Sequence, residues 1–214
     1  MLSTLHKLHA EVPAYDNAAF GAAIVALKPD VLCIEVGPEA YAARKPERTK
    51  VEYPQVVYPL IDTHRYPVCL LEPADAKARE IGLPYMKAQA QFQERQPEKA
   101  AAQGRYMEAL FDALKQHWTS PAAVNDPVTD TLLQGKHALQ EALQGEEERA
   151  GWDAWNQHFL ARIVEAAAEH AGKRVVVLVG AEHGYWLRQR LADHQDVCLA
   201  DTVALLNGKS GGCL

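Results

Sequence analysis

Apolar residues in this chain fall into short unbroken runs, separated by stretches with helical spacing. Three runs read as strands: Val31-Leu-Cys-Ile-Glu-Val, Val68-Cys-Leu-Leu-Glu and Val175-Val-Val-Leu-Val. Each is continuous and rich in β-branched residues, the pattern of parallel strands covered on both faces. Residues 1–5 read as a very short first strand, and Val197-Cys-Leu-Ala as a further weak one. Between them, residues 17–27 put Phe20, Ile24 and Leu27 on one helical face, and Lys28-Pro-Asp stops that helix. Residues 185–191 begin another helix directly after the Val175 run. This alternation predicts an α/β fold, a mainly parallel central sheet flanked by helices.

The middle of the chain breaks the alternation. From 74 to 170 no run looks like a strand, and helical stretches such as 103–117 and 153–170 are interrupted at Pro97, Ser120-Pro, Asp126-Pro and Gly145 through Gly151. The expectation is one α/β domain over 1–214, with 74–170 as a helical insertion or cap and 207–214 as a flexible tail. The basic segment 44–50 reads as a solvated loop.

Composition narrows the function classes. The 214 residues are 48% apolar and 23% charged, ordinary for a globular protein with a full core. A net charge of -6 argues against a nucleic-acid or anionic-membrane partner, both of which require a basic face. No apolar run approaches the roughly 20 residues that cross a bilayer, and no signal peptide is visible, so a cytoplasmic protein is expected. The four cysteines fit a reducing compartment: Cys33, Cys69 and Cys198 lie in apolar segments as small buried hydrophobes, and no CxxC pair exists. Cys213 lies in the glycine-rich tail. Gly208-Lys-Ser is not a phosphate loop, because position 203 is Val203 and no strand leads into it.

Candidate chemistry gathers where strands end. In open parallel sheets ligands bind at the carboxyl edge, where loops converge and helix N-termini point inward. The successive segments deliver His6 (with His9 three residues on), Glu35, Glu72, Glu182 with His183, and Asp201 to that edge. Two histidines and several carboxylates suit either a divalent metal or acid–base chemistry. Glu35 stands out, since a carboxylate inside an apolar strand is costly unless paired. The competing reading of His183 is a solvated helix cap. Glu72, which precedes Pro73, reads as a strand end, His9 as an exposed residue, and Asp201 as a helix N-cap. His117, His137, His158, His170 and His194 read as surface residues, and Trp118, Trp152 and Trp155 as packing anchors.

The order of these features resembles the superfamily that groups TraB and PrgY pheromone-shutdown proteins, Tiki proteases, ChaN-like proteins and erythromycin esterases. Its hallmarks are two GxxH motifs and an intervening glutamate at strand ends, with helices inserted between the halves. Gly180-Ala-Glu-His183 matches the second motif, and Glu35 the glutamate. Ser3-Thr-Leu-His6 stands in the first motif's place with Ser3 for glycine, and Arg44 is the nearest counterpart of the arginine that often follows the glutamate.

The resemblance and the rim residues together lead to an expected hydrolase of a small molecule or peptide. His6, Glu35 and His183 would hold a divalent metal whose bound water becomes the nucleophile. Glu72 or Glu182 would take the water's proton. Gly180 would allow the turn that brings the next helix N-terminus to the site. A metal-free variant, similar to the erythromycin esterases, would use His6 as base with Glu35 orienting water. The same two-histidine, one-carboxylate set suits a non-haem iron centre. From a different class comes a non-enzymatic binder of haem, a peptide or another small ligand, as in ChaN. The helical cap would roof the pocket, and the sequence leaves room for a homo-oligomer.

Overall fold

The computed structural model describes residues 1–213. Four strands, β1 (Leu2–Thr4), β2 (Val31–Ile34), β3 (Val68–Leu70) and β4 (Val175–Gly180), form one parallel sheet in the order β1-β4-β2-β3. The register pairs Thr4 with Gly180, Cys33 with Val177 and Cys69, and Ile34 with Leu178. All four strands therefore end at one edge. β2 and β4 are the interior strands, and their residues Leu32, Cys33, Ile34, Leu178 and Val179 are fully buried.

Helices cover the sheet. They are α1 (Asn17–Ala26), α2 (Pro38–Ala42), α3 (Tyr58–His64), α4 (Asp75–Arg95), α5 (Pro97–His117), α6 (Pro121–Val124), α7 (Pro127–Gln144), α8 (Glu146–Glu169), α9 (Ala181–Ala192) and α10 (Thr202–Leu206). A π-helical turn, Tyr53–Val57, leads into α3. The start of α1 is set by Asp16, whose carboxylate accepts from Ala19 N at 2.8 Å, and its predicted face is buried through Phe20, Ile24 and Leu27. The region 74–170 is helical throughout its ordered elements, α4 to α8, and carries no strand. Leu114, Trp118, Leu133, Phe159 and Ile163 from it join the same core as the strands. No helix among the described residues is long and apolar enough to cross a membrane.

Four local expectations are overturned. Val197-Cys-Leu-Ala is not a strand: only Leu199 is buried, Cys198 is exposed, and Ala200 makes a lone antiparallel bridge with Cys213. Cys198 is not a buried hydrophobe but forms a disulfide with Cys213, which ties the tail back onto Asp201, whose N–H donates to Gly212 O at 3.1 Å. Residue 214 lies outside the described residues. Gly145 does end α7, with φ 88°, but Gly151 sits inside α8; its missing Cβ would meet Tyr85 Cβ at 2.8 Å, so glycine there lets α4 and α8 approach. The basic loop is solvated only in part, because Lys50 is 3% exposed. Asp201 does cap α10, accepting from Ala204 N at 2.9 Å.

Candidate active site

The carboxyl edge is organised around Glu35, the residue after β2. It is 4% exposed, and its Oε2 accepts from Gly180 N at 2.5 Å. Its Oε1 lies 3.2 Å from Lys50 Nζ and 3.6 Å from His6 Nε2. Burial alone would raise its pKa, but Lys50 and His6 outweigh that and hold the carboxyl well below the usual range. Gly180 is needed for this contact. A Cβ there would meet His6 Nε2 at 2.9 Å and Glu35 Oε2 at 3.3 Å. Its φ of -52° is open to any residue, so close approach, and not the turn, explains the glycine.

Lys50 and Glu52 are buried neighbours of this cluster that the sequence did not disclose. Lys50 Nζ donates to Glu35 O at 2.9 Å and pairs with the Glu72 carboxylate. Despite burial, Glu35 and Glu72 raise its pKa, which favours the ammonium form. Glu72 is thereby tied into the cluster two residues beyond β3, with a pKa that burial lifts more than Lys50 lowers it. Glu52 is fully buried, accepting from His6 Nδ1 at 2.8 Å and from Thr4 Oγ1 at 2.9 Å. Nothing in Lys-Pro-Glu-Arg-Thr-Lys-Val-Glu distinguishes these two from their solvated neighbours. Arg44, the nearest counterpart of the family arginine, faces away: it covers the rings of Tyr41 and Tyr58 and pairs with Asp62.

His6 thus stands between two carboxylates. Burial pulls its pKa down, yet Glu35 and Glu52 raise it to about 10, so it is an imidazolium at neutral pH. Its backbone has φ 51°, a left-handed conformation that costs a residue with a Cβ about 1–3 kcal/mol. His9, expected at the surface, is 1% exposed. Its Nδ1 donates to Tyr15 O at 2.5 Å and its Nε2 accepts from Leu5 N at 3.1 Å, so it buttresses the turn that aims His6.

His183 has the opposite character. It sits in the first turn of α9, stacked on Trp152 with ring centroids 4.6 Å apart. Its Nδ1 lies 2.9 Å from Asn156 Oδ1, and the Asn156 amide nitrogen donates to Trp152 O at 2.8 Å. That second bond fixes the amide with its oxygen toward the ring. His183 Nδ1 must therefore carry the proton, which leaves the lone pair on Nε2. Burial outweighs the pull of Glu35 and Glu182 and lowers its pKa to about 4. Glu182 turns the other way, to Lys136 and to His137 Nε2 at 3.5 Å, and those partners hold its pKa low against burial. His137, another expected surface residue, is 6% exposed and stacks on the Trp152 ring at 3.8 Å between ring centroids.

A cavity of about 720 Å³ opens on this edge, lined by His6, Gly180, Glu182 and His183 and walled by apolar residues including Leu8, Phe111 and Leu133. His6, Glu35 and His183 as placed do not fit a metal ion. Both His6 nitrogens face carboxylates, a buried ammonium already neutralises Glu35, and the described residues contain no group of three or more His, Cys, Asp or Glu disposed to hold one. The molecule is an α/β protein whose sheet presents His6 and His183 at its carboxyl edge, the pKa of the first raised and that of the second lowered by their surroundings. No protein-family model, curated protein or solved structure matches the chain.

Proposed function

We propose that the protein is a hydrolase of a small molecule or peptide in which two histidines, and not a bound metal, prepare water and leaving group. One observation carries this reading. The neutral His183 and the cationic His6 line the same cavity, with pKa values pushed to about 4 and about 10 by their surroundings. Paired groups driven apart in this way divide the roles of base and acid.

In the reaction, His183 Nε2 takes a proton from water as its oxygen attacks the substrate carbonyl. His6, with Glu35 and Glu52 steadying its charge, stabilises the oxyanion and gives its proton to the leaving oxygen or nitrogen. The donor of pKa about 10 suits a basic leaving group such as an alkoxide or amine. The N-terminus of α9, which has no side-chain cap, adds its dipole at the oxyanion. Proton exchange with solvent restores both rings. Glu35 and Glu72 position Lys50 and His6 and do not themselves take the proton.

The Gly180-Ala-Glu-His183 motif and Glu35 support a proposed kinship with the TraB, Tiki, ChaN-like and erythromycin esterase superfamily, with the metal-free members as the nearer parallel. A cytoplasmic location stands as the proposal from the sequence, and the Cys198–Cys213 disulfide is the observation that weighs for an oxidising compartment. The test of the function is ester and peptide hydrolysis in heavy-oxygen water. One heavy oxygen should enter each product carboxylate, and prolonged chelation should leave the rate unchanged. A rate that disappears on chelation and returns with a divalent ion would overturn the metal-free mechanism. Product formed without label from water would overturn hydrolysis itself.

A further inference from the structure

His183 borders two cavities. Besides the large one, it lines a smaller space of about 240 Å³ whose other walls are Ile81, Gly82, Tyr85, Gly151, Trp152 and Trp155. We propose that this smaller cavity is the substrate's specificity subsite, and that it takes an aryl or short alkyl group attached next to the scissile bond. The inference rests on the hydrolase reading for the word substrate; the chemistry of the pocket stands apart from it.

The walls select the occupant. They come from α4 and α8 and present one isoleucine and three aromatic rings, with no charged side chain among them. The indole nitrogen of Trp152 is already committed to Tyr185 Oη at 3.2 Å, its ring is stacked by His183 and His137, and Tyr85 Oη accepts from Gln89 at 2.6 Å, which leaves ring edges and the Tyr85 and Trp155 rings, and not polar atoms, for a ligand. A dry apolar cavity of about 150 Å³ is enough to hold benzene, so the space here admits a phenyl group with a short linker or a chain of similar bulk. Size is set by two glycines. At Gly151 a side chain would collide with Tyr85, so α8 can lie close to α4; at Gly82 a Cβ meets nothing within 4 Å, so a larger residue would grow into free space. The position of His183 links the two cavities: a group seated beside Trp152 leaves its attached carbonyl at the imidazole, with the remainder of the molecule in the larger cavity.

The test uses the whole chain with Gly82→Leu, which adds bulk at the cavity wall where a Cβ meets nothing within 4 Å, and Gly104→Leu on α5 as a control, since a Cβ at Gly104 also meets nothing within 4 Å but Gly104 does not line the pocket. The first probe is 4-bromobenzyl alcohol, whose heavy atom quenches indole fluorescence on contact. Saturable quenching is expected in the parent chain and in the control, with affinity reduced at least tenfold in Gly82→Leu. The second measurement compares phenylacetyl with acetyl esters of one alcohol. The parent and Gly104→Leu should prefer the phenylacetyl ester in kcat/KM, and Gly82→Leu should lose that preference. Quenching that never saturates, or that Gly82→Leu leaves unchanged, would overturn the subsite. Saturable, Gly82-sensitive quenching without hydrolysis of either ester would instead remove the hydrolase reading and leave the apolar binding site in place.

Discussion

At the scale of single residues, the site depends on charges that hold one another. Lys50 is the clearest case: its ammonium sits among Glu35 and Glu72 with almost no exposure. Replacing it by methionine leaves two buried carboxylates without their cation. Loss of one partner from such a pair costs about 3–5 kcal/mol, and urea unfolding of Lys50→Met should show a loss of that order; a change below 1 kcal/mol would mean that the carboxylates find water. His183→Ala should abolish hydrolysis with the fold intact, whereas His194→Ala, a change far from the edge, should leave it untouched. The pH profile follows from the two histidines with opposite signs. His183 works only unprotonated, so activity should be lost as pH falls through about 4; His6 works only protonated, so activity should be lost as pH rises through about 10. For stability the signs agree with this. The raised pKa of His6 contributes below its ordinary value of 6.5 and is lost toward 10, and the lowered one of His183 contributes above 6.5 and is lost toward 4. A kcat/KM profile with a limb near pH 6.5 would separate the reacting groups from both histidines.

At the scale of elements, the sequence disclosed what periodicity and strand ends can carry. The apolar runs at 31, 68 and 175, the short first strand and the helix at 17 all stand where the pattern put them, because burial on both faces writes itself as continuous β-branched residues. Glu35 was legible for the same reason, as a charge inside such a run. Lys50, Glu52 and Asn156 were not, since a polar residue buried by a partner from a distant segment looks like any other polar residue in a loop or helix. His9 and His137 were misplaced by the same blindness. The Cys198–Cys213 disulfide was hidden because spacing alone does not pair cysteines. Where the motif glycine was legible, its reason was not. Gly180 gives β4 a bare surface against the His6–Glu35 pair, so Gly180→Ala should push His6 aside. Overpacking of this kind costs about 1–3 kcal/mol; a larger loss is expected in activity than in stability, read as kcat against the urea midpoint. An equally active Gly180→Ala would show that the contact is slack. Asn156→Ala, which frees the His183 ring, should lower kcat on the order of 10²-fold with little change in KM.

At the scale of the whole molecule, the helical cap is not one uniform lid. α7 and α8 reach into the common core through Leu133, Phe159, Ile163 and Ala166, and α8 also holds Asn156 against His183. α4 is different. Over its length only Ala88 and Phe92 are buried, Leu83 and Met86 stand 59% and 63% exposed, and Pro84 interrupts its hydrogen-bond ladder from within. Although α4 packs along α8, segments with few buried side chains and an interrupted hydrogen-bond ladder open at low free energy, ahead of the core. Ile81, Gly82 and Tyr85 of α4 form one side of the smaller cavity, so opening of α4 would widen access beside Trp152. Native-state hydrogen exchange should therefore find the amides of α4 exchanging well before those of α7, α8 and the interior strands, and a ligand bound in the smaller cavity should slow exchange in α4 first. Protection of α4 equal to that of α8 in the free protein would mean that the cap moves as a unit with the sheet, and that entry to the smaller cavity runs instead through the larger one past His183.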